Sequence, residues 1–239
     1  MKGLRTTSPD ALGKETPRAL RLSFVQELDQ LRLQVELMAL KVDDALQRST
    51  AVLLTGDTKL AEDVIAGDDD IDATFVSLTE RSYELLVRQS PVASDLRLVV
   101  SVLRILGDLE RTGDLCLRIV KLAPDQPLLA SNQTTFGILR AMSREASGLF
   151  RAAIRAWSSQ DLRLAMTLEE RDDALDRHYA ALMQAVLELE GPRSVPLAVQ
   201  SLSAGRALER IADHSVMIGE RLRYMLTGSL RSISKEIGP

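Results

Sequence analysis

Cysteine and aromatic residues are scarce in this chain of 239 residues. The single cysteine, Cys116, excludes an internal disulfide framework and is compatible with a reducing cytosol. Aromatic side chains make up only 3% of the residues, and the 13 glycines and 8 prolines fall mostly at widely spaced points. Leu, Ala, Arg and Glu are abundant instead, and these residues favour helices. We therefore predict an all-α protein.

Long apolar runs and blocks of like charge are also missing. The most apolar segment, LRLVVSVLRIL, is interrupted by Arg97 and Arg104 and is too short to cross a bilayer. The first residues, MKGLRTTSPD, lack the apolar segment of a secretory signal. Because 30 Lys and Arg stand against 34 Asp and Glu, without a basic patch, we expect no nucleic-acid partner. We expect a cytoplasmic protein.

Glycine, proline and capping residues divide the chain into helices. They cluster in TGDT, QSPVASD, LAPDQPLLASNQ, SSQD and EGPRSVP, where one helix ends and a Ser or Asp can cap the next. Six long helices are predicted, at residues 20–54, 58–88, 93–122, 133–157, 161–189 and 195–227. Residues 1–20 are predicted to be a mobile tail, and residues 229–239 a C-terminal tail.

An internal repeat relates the first three helices to the last three. The apolar stripe of the second helix is found again 104 positions later, with all six residues still apolar. The stripe consists of Leu60, Val64, Ile71, Phe75, Leu78 and Leu85, and its counterpart of Leu164, Leu168, Leu175, Tyr179, Leu182 and Leu189. This spacing is typical of one buried helix face. A duplication explains the match, and it predicts two antiparallel three-helix bundles, at 21–123 and 133–228, joined by a linker at 124–132.

Paired carboxylates interrupt the apolar stripes in both repeats. Each repeat carries D-x-x-x-D on its second helix and E-x-x-x-D on its third, and both pairs are aligned with the apolar face. The eight residues are Asp68, Asp72, Glu110 and Asp114 in the first repeat and Asp172, Asp176, Glu209 and Asp213 in the second. Clustered, partly desolvated carboxylates repel each other, so a positive partner is required.

Metal ions and arginines are the two alternatives for that partner. Two facing carboxylate pairs supply only oxygen ligands, which suit Mg, Ca, Mn or Fe. In the alternative interpretation, the acids lie solvated at the edge of the stripe, or they pair with nearby arginines (Arg104, Arg111, Arg171 and Arg210). The duplication of the whole constellation favours the metal.

Motifs of catalysis are absent. The sequence contains no phosphate-binding G-x-x-x-x-G-K-[ST] loop and no G-x-G-x-x-G. In carboxylate-bridged di-iron bundles, a ligand histidine has a glutamate three residues before it. Neither His178 nor His214 has a glutamate at that position. We expect His214 to be a packed or surface histidine and Cys116 a small buried residue. We predict that the protein is not an enzyme; a carboxylate-bridged metal enzyme and a metal-binding or storage protein are the alternatives.

The same residues carry a family resemblance. The segments LAEDVIAGDDDIDATF, LLVRQSPVASDLRLVVSVLRILGDLERTGD, LEERDDALDRHY and RALERIADHSVMIGERLRYMLTG resemble the PhoU family of phosphate-signalling proteins. The resemblance covers residues 21–228. It implies two three-helix bundles whose eight paired acids hold metal clusters. It also implies a regulator without catalysis, which couples a phosphate ABC transporter to a sensor histidine kinase and keeps starvation genes off when phosphate is plentiful.

Further expectations concern ligands and partners. Iron, manganese, magnesium and zinc are the candidate ions for the carboxylates. The expected partners are the ATPase subunit of the transporter, the sensor kinase and a second copy of the chain in a homodimer, with membrane association only through these partners. Many relatives carry Asn or Asp four residues beyond the last Asp of the motif, where this chain has Arg118 and Met217. These substitutions lower the number of oxygen ligands.

Overall fold

The computed structural model describes residues 17–229. The predicted tails fall almost entirely outside this range, because residues 1–16 and 230–239 are not described. Residues 17–20, which the sequence placed in the N-terminal tail, form the first turn of the first helix.

The described residues form helices and no strand, which confirms the predicted all-α class. The long helices are α1 (Pro17–Thr55), α2 (Thr58–Gln89), α3 (Ala93–Val120), α5 (Gln133–Ser159), α7 (Leu168–Leu187) and α8 (Ser194–Thr227). Two short helices, α4 (Gln126–Leu129) and α6 (Leu162–Met166), and a 3₁₀ turn at Ala123–Asp125 lie between them.

Local chemistry sets the helix ends where the sequence predicted them. The side chain of Asp57 accepts a hydrogen bond from the backbone N–H of Leu60 at 3.0 Å, and Asn132 caps α5 through the N–H of Thr135 at 3.0 Å. These bonds satisfy N–H groups that have no partner within the helix. Gly228 has φ 72° and ends α8 in the left-handed conformation that glycine adopts without strain.

The helices pack as two groups of three. In the first, α1, α2 and α3 contact one another, and in the second α5, α7 and α8 do so, with α6 continuing the α7 side. The two groups meet through α3 against α8 and α1 against α5. The outer helices α2 and α7 therefore carry one half of each acidic constellation, and the inner helices α3 and α8 carry the other half.

The predicted apolar stripe is the buried face of α2 and α7. Val64, Ile71 and Leu78 are at most 5% exposed, and Leu175 and Leu182 are fully buried. Burying one such side chain stabilises the fold by about 1.5–3 kcal/mol. One continuous cluster of buried residues extends from α1 to α8 and through both groups of helices. The limits of the two bundles at 123 and 133 stay a prediction, because the core does not divide there.

Two details differ from the prediction. The helix expected at 161–189 is interrupted at Thr167, whose hydroxyl donates to the carbonyl of Leu164 at 2.8 Å and whose N–H bonds to the same carbonyl. A threonine hydroxyl competes in this way with the regular helical bond and tightens the turn. The linker at 124–132 contains α4, and Leu129 in it is fully buried.

Candidate acidic clusters

The first acidic cluster lies where α2 packs against α3. Asp68 and Glu110 are half-buried, while Asp72 and Asp114 are exposed. The two helices approach closely at Gly113: a methyl group in place of its hydrogen would lie 3.8 Å from Oδ1 of Asp68. A carboxylate of α2 is thus held next to the backbone of α3, one residue before Asp114.

Two acids of this cluster, Asp68 and Glu110, are affected by the charges of the other acids. Burial raises the pKa of Asp68, and the charges of Asp72 and Asp114 raise it further, against a lowering by Lys121. Burial likewise raises the pKa of Glu110, with added repulsion from Asp114, Asp72 and Asp68 and against a lowering by Arg111. Neighbouring carboxylates therefore raise the free energy of ionising Asp68 and Glu110, as expected where a cation binds.

The second cluster is more deeply buried. Asp172 and Glu209 are half-buried and Asp176 and Asp213 are exposed, the same arrangement as in the first repeat. Burial raises the pKa of Asp172 to about 7, with repulsion from Asp176, Asp213 and Glu209 as the next causes. Burial also raises the pKa of Glu209 and of Asp213, against a lowering of both by Arg206 and Arg210. A carboxyl group with a pKa near 7 is half protonated at neutral pH, so this cluster resists carrying its full negative charge.

Two oxygens of the second cluster have no partner. Oδ1 of Asp172 and Oε2 of Glu209 are buried and accept no hydrogen bond. The other oxygen of Glu209 pairs with Nη1 of Arg206, one turn earlier on α8. Buried carboxylate oxygens without a donor are uncommon, because leaving them unpaired costs about 1–3 kcal/mol each.

The structure brings together the predicted residues in the predicted groups. Among residues 17–229, Glu209 is the one acid of the eight that forms an ion pair, and its partner is Arg206. Of the four arginines expected to compensate the acids, Arg111 lowers the pKa of Glu110 and Arg210 lowers that of Glu209 and Asp213. The solvated alternative holds in part, because the last acid of every pair is exposed. Within the same residues, no three His, Cys, Asp or Glu side chains are already arranged to hold an ion.

A cation fits the second cluster better than the first. The unpartnered oxygens of Asp172 and Glu209 come from facing helices, and oxygen donors of this kind suit hard divalent ions. Positive side chains lie near both clusters, because Lys121 lowers the pKa of Asp68 and Arg206 and Arg210 lower the pKa of Glu209 and Asp213. Metal binding by the eight acids and the identity of the ion stay predictions.

A buried polar pair between the two repeats was missed by the sequence analysis. Nδ1 of His214 lies 3.2 Å from Oδ1 of Asp108, and the two residues are 5% and 2% exposed. Asp108 is on α3 and His214 on α8, so the pair joins the two halves of the core. The expectation for His214 was a packed or surface residue, which is correct as to packing but did not include this partner. A sequence signal did exist, because the two polar residues have apolar counterparts in the other repeat. At an offset of 99, Asp108 corresponds to Ala207 and His214 to Leu115.

Two further expectations can be compared with the structure. Cys116 is buried, as predicted, and burial raises the pKa of its thiol to about 12. A thiol in that state is not a nucleophile at neutral pH. Across residues 17–229, none of the helices has both the length and the apolar content to span a membrane.

The fold and the acids together define a class: an internally duplicated all-α protein with one four-carboxylate cluster per repeat. The family model described as PhoU domain matches this chain twice, at residues 35–123 and 139–222. The chain therefore belongs to the PhoU family. The two matches also agree with the duplication read from the sequence.

Relatives and solved structures extend over nearly the whole chain. Phosphate-specific transport system accessory protein PhoU homolog 2 of Mycobacterium tuberculosis is 31% identical over 211 residues, covering 88% of this chain and 99% of the relative. PhoU homolog 1 of the same species is 32% identical over 215 residues and covers 88% and 96%. The crystal structure of PhoU from Pseudomonas aeruginosa has a TM-score of 0.80 at 28% identity, covering 86% of this chain and all of that one.

Proposed function

We propose that the protein is a non-enzymatic regulator of phosphate uptake and phosphate-starvation signalling. It acts in the cytoplasm as an adaptor between the ATPase subunit of a phosphate ABC transporter and a sensor histidine kinase, and it keeps the starvation response off when phosphate is plentiful. The observation that carries this proposal is the similarity, over 88% of the chain, to proteins named as accessory to phosphate-specific transport. We propose that it works as a homodimer and reaches the membrane only through its partners.

The chemistry of the clusters supports a role without catalysis. Their side chains are carboxylates, and the Glu-x-x-His motif of carboxylate-bridged di-iron bundles is absent from the sequence. The cysteine thiol is buried, with a pKa raised to about 12. These observations give little support to the alternative of a metal enzyme.

We propose that each acidic cluster binds a divalent or trivalent cation and that the second cluster binds more tightly. Asp172 and Glu209 would hold the ion in the second cluster, with Asp176 and Asp213 completing the ligand set from the exposed side. The ion would neutralise the mutual repulsion and fasten α7 to α8. Fastening these helices would keep the outer face of the bundle in one shape for its partners.

A genetic complementation experiment tests the regulatory role. In a host that lacks every PhoU-family gene, a reporter of phosphate starvation is expected to stay on in high phosphate. Return of this gene should switch it off. Continued expression of the reporter, with the protein present at normal level, would contradict the proposal.

Crosslinking tests the adaptor role. The full chain, tagged at its N-terminus, would be crosslinked in phosphate-replete cells and its partners identified by mass spectrometry. We expect the transporter ATPase and a histidine kinase, with reduced recovery for Asp172→Asn combined with Glu209→Gln. A matched variant, Glu62→Gln combined with Glu170→Gln, removes two exposed acids from the outer helices and should keep both partners. Recovery of neither partner by the wild-type protein would overturn the adaptor role.

A further inference from the structure

A basic cavity lies between the two repeats, next to the second acidic cluster, whose Glu209 pairs with the lining residue Arg206. It has a volume of about 250 Å³ and opens between α3 and α8. Six residues line it: Leu115 and Arg118 from α3, and Ser203, Arg206, Ala207 and Arg210 from α8. Ser203, Arg206 and Arg210 follow at steps of three and four residues, so they lie on one face of α8.

Three guanidinium groups and no carboxylate line this cavity. Arg206 pairs with Glu209, and the charge of Arg210 lowers the pKa of Glu209 and of Asp213. Among the described residues, Arg118 forms no ion pair and no hydrogen bond. Like charges held close together repel, and an anion between them reverses the sign of that interaction. Guanidinium groups are well suited to this task, because each presents a planar fork of N–H donors that matches the oxygens of phosphate.

The size of the cavity limits its ligand. Pockets for drug-sized ligands usually measure about 300–1,000 Å³, and this cavity lies below that range. A single tetrahedral oxyanion with a few waters would fill it, and a nucleotide would not. The hydroxyl of Ser203 adds one more group that can donate to an oxyanion.

The internal repeat provides a comparison within the same molecule. Since α3 and α8 match at an offset of 99, the cavity-lining positions Leu115 and Ala207 have a counterpart at the other end of the same seam. That counterpart is the pair His214 and Asp108, which fills the space with a buried polar contact at 3.2 Å. At the cavity end, the corresponding residues Leu115 and Ala207 carry no polar group, and a cavity lies between the two helices.

The charges at the two ends of the seam differ as well. Arg118 has Met217 as its counterpart, and Arg206 has Gly107, so two of the three cavity arginines are absent from the other end. The counterpart of Arg210 is Arg111, which lies one turn from Asp108, a residue with a buried carboxylate. This end of the seam therefore combines an open space with three arginines, of which Arg206 and Arg210 also act on the acids of the second cluster.

We propose that this cavity is a binding site for a small tetrahedral oxyanion, with inorganic phosphate as its ligand. The inference goes beyond the proposed regulatory function, because it rests on the arginines and the shape of the cavity alone. Arg118 and Arg210 hold the ion from opposite helices, and Arg206 joins them by turning from Glu209.

The test is equilibrium dialysis of the purified full chain against radiolabelled inorganic phosphate. The protein would be freed of divalent ions by chelation, so that phosphate cannot bind through a metal. We expect saturable binding of one phosphate per chain, competition by sulfate and none by chloride at equal ionic strength. Absence of saturable binding would overturn the proposal, and so would tighter binding of ATP than of phosphate, which would point to a larger ligand.

Matched variants locate the site. Arg118→Met introduces the residue found at its own counterpart position and should weaken phosphate binding by at least about tenfold, as expected for loss of a charge-assisted hydrogen bond. Arg104→Met removes the same charge from an exposed position of α3 outside the cavity and should leave the affinity unchanged. Arg210→Met is a second cavity variant in case the first does not fold. Equal affinity of both cavity variants and the wild-type protein would place the phosphate elsewhere and refute the site.

The outcome is separable from that of the regulatory proposal. Failure to bind phosphate in dialysis leaves the complementation result untouched. Failure of complementation leaves a measured phosphate affinity standing.

Discussion

Replacing Asp172 by Asn is expected to stabilise the cation-free protein at neutral and alkaline pH. Burial and four neighbouring acids raise the pKa of this carboxyl from 3.8 to about 7. Between these two values the folded protein keeps the proton that the unfolded chain has lost. The folded state then binds more protons, so the free energy of unfolding falls as the pH rises through this window. Above the folded pKa, the full penalty is present.

The magnitude follows from the size of the shift. About three pKa units at 1.36 kcal/mol each give an upper limit near 4 kcal/mol. Because Asp172 is only half-buried, solvent screening reduces this figure, and we expect about 1–2 kcal/mol at pH 8. For a chain of this length, that corresponds to a rise in Tm of about 2–8 °C. The difference between variant and wild type should shrink as the pH is lowered from 8 to 5.

The assay is urea unfolding followed by the emission of Trp157, the single tryptophan, which is buried in α5. Glu170→Gln, an exposed acid of the same helix, is the control and should change stability by less than about 0.5 kcal/mol. Added divalent cation should stabilise the wild type and stabilise Asp172→Asn less, because binding to the folded state alone shifts the equilibrium. A variant less stable than wild type at pH 8 without cation, or a difference independent of pH, would refute the reasoning.

Three other predictions concern buried residues. Gly219→Ala should destabilise the protein by about 1–3 kcal/mol in urea unfolding, because its methyl group would lie 2.5 Å from a methyl group of the buried Leu168. The control Gly137→Ala, with nothing within 4 Å of the new methyl group, should stabilise the helix by about 0.5–1 kcal/mol. Equal effects of the two substitutions would contradict this reasoning. Asp108→Ala should cost about 1–3 kcal/mol by leaving His214 without its partner, and adding His214→Leu, which copies the composition of the counterpart contact, should recover most of it. Additive losses in this cycle would show that the pair is not coupled. Cys116 should resist iodoacetamide in the folded protein and react after unfolding; rapid labelling of the native protein at pH 8 would contradict the raised pKa.

The fold could be predicted from the sequence because its signals are local or repeated. Asp57 and Asn132 cap helices through bonds to residues three positions away, and the stripe beginning at Leu60 needs only helical periodicity. The grouping of the acids followed from the same periodicity, with the repeat at an offset of 104 on the outer helices and 99 on the inner ones. Periodicity identifies the face on which a residue lies.

Periodicity does not identify the residue that a side chain contacts. The contact between Asp108 and His214 spans 106 positions and depends on how α3 crosses α8. The ion pair of Arg206 with Glu209 was missed because several arginines lie within reach of the acids in sequence, and only the side-chain geometry selects one. The break at Thr167 depends on the choice of its hydroxyl between solvent and the carbonyl of Leu164. Each of these three contacts can be identified only from the three-dimensional structure.

The seam between α3 and α8 has the geometry of a dimer interface contained in one chain. In a symmetric homodimer, each substitution in the interface occurs twice, so a favourable change at one end is imposed on the other. In this chain, α3 and α8 are separate segments of the sequence, so a substitution in one does not occur in the other. One end of the seam can thus carry the pair of Asp108 and His214, while the other carries arginines around an open space. Fusion of the repeats allows a single molecule to hold two different sites where a symmetric dimer would be limited to two copies of one.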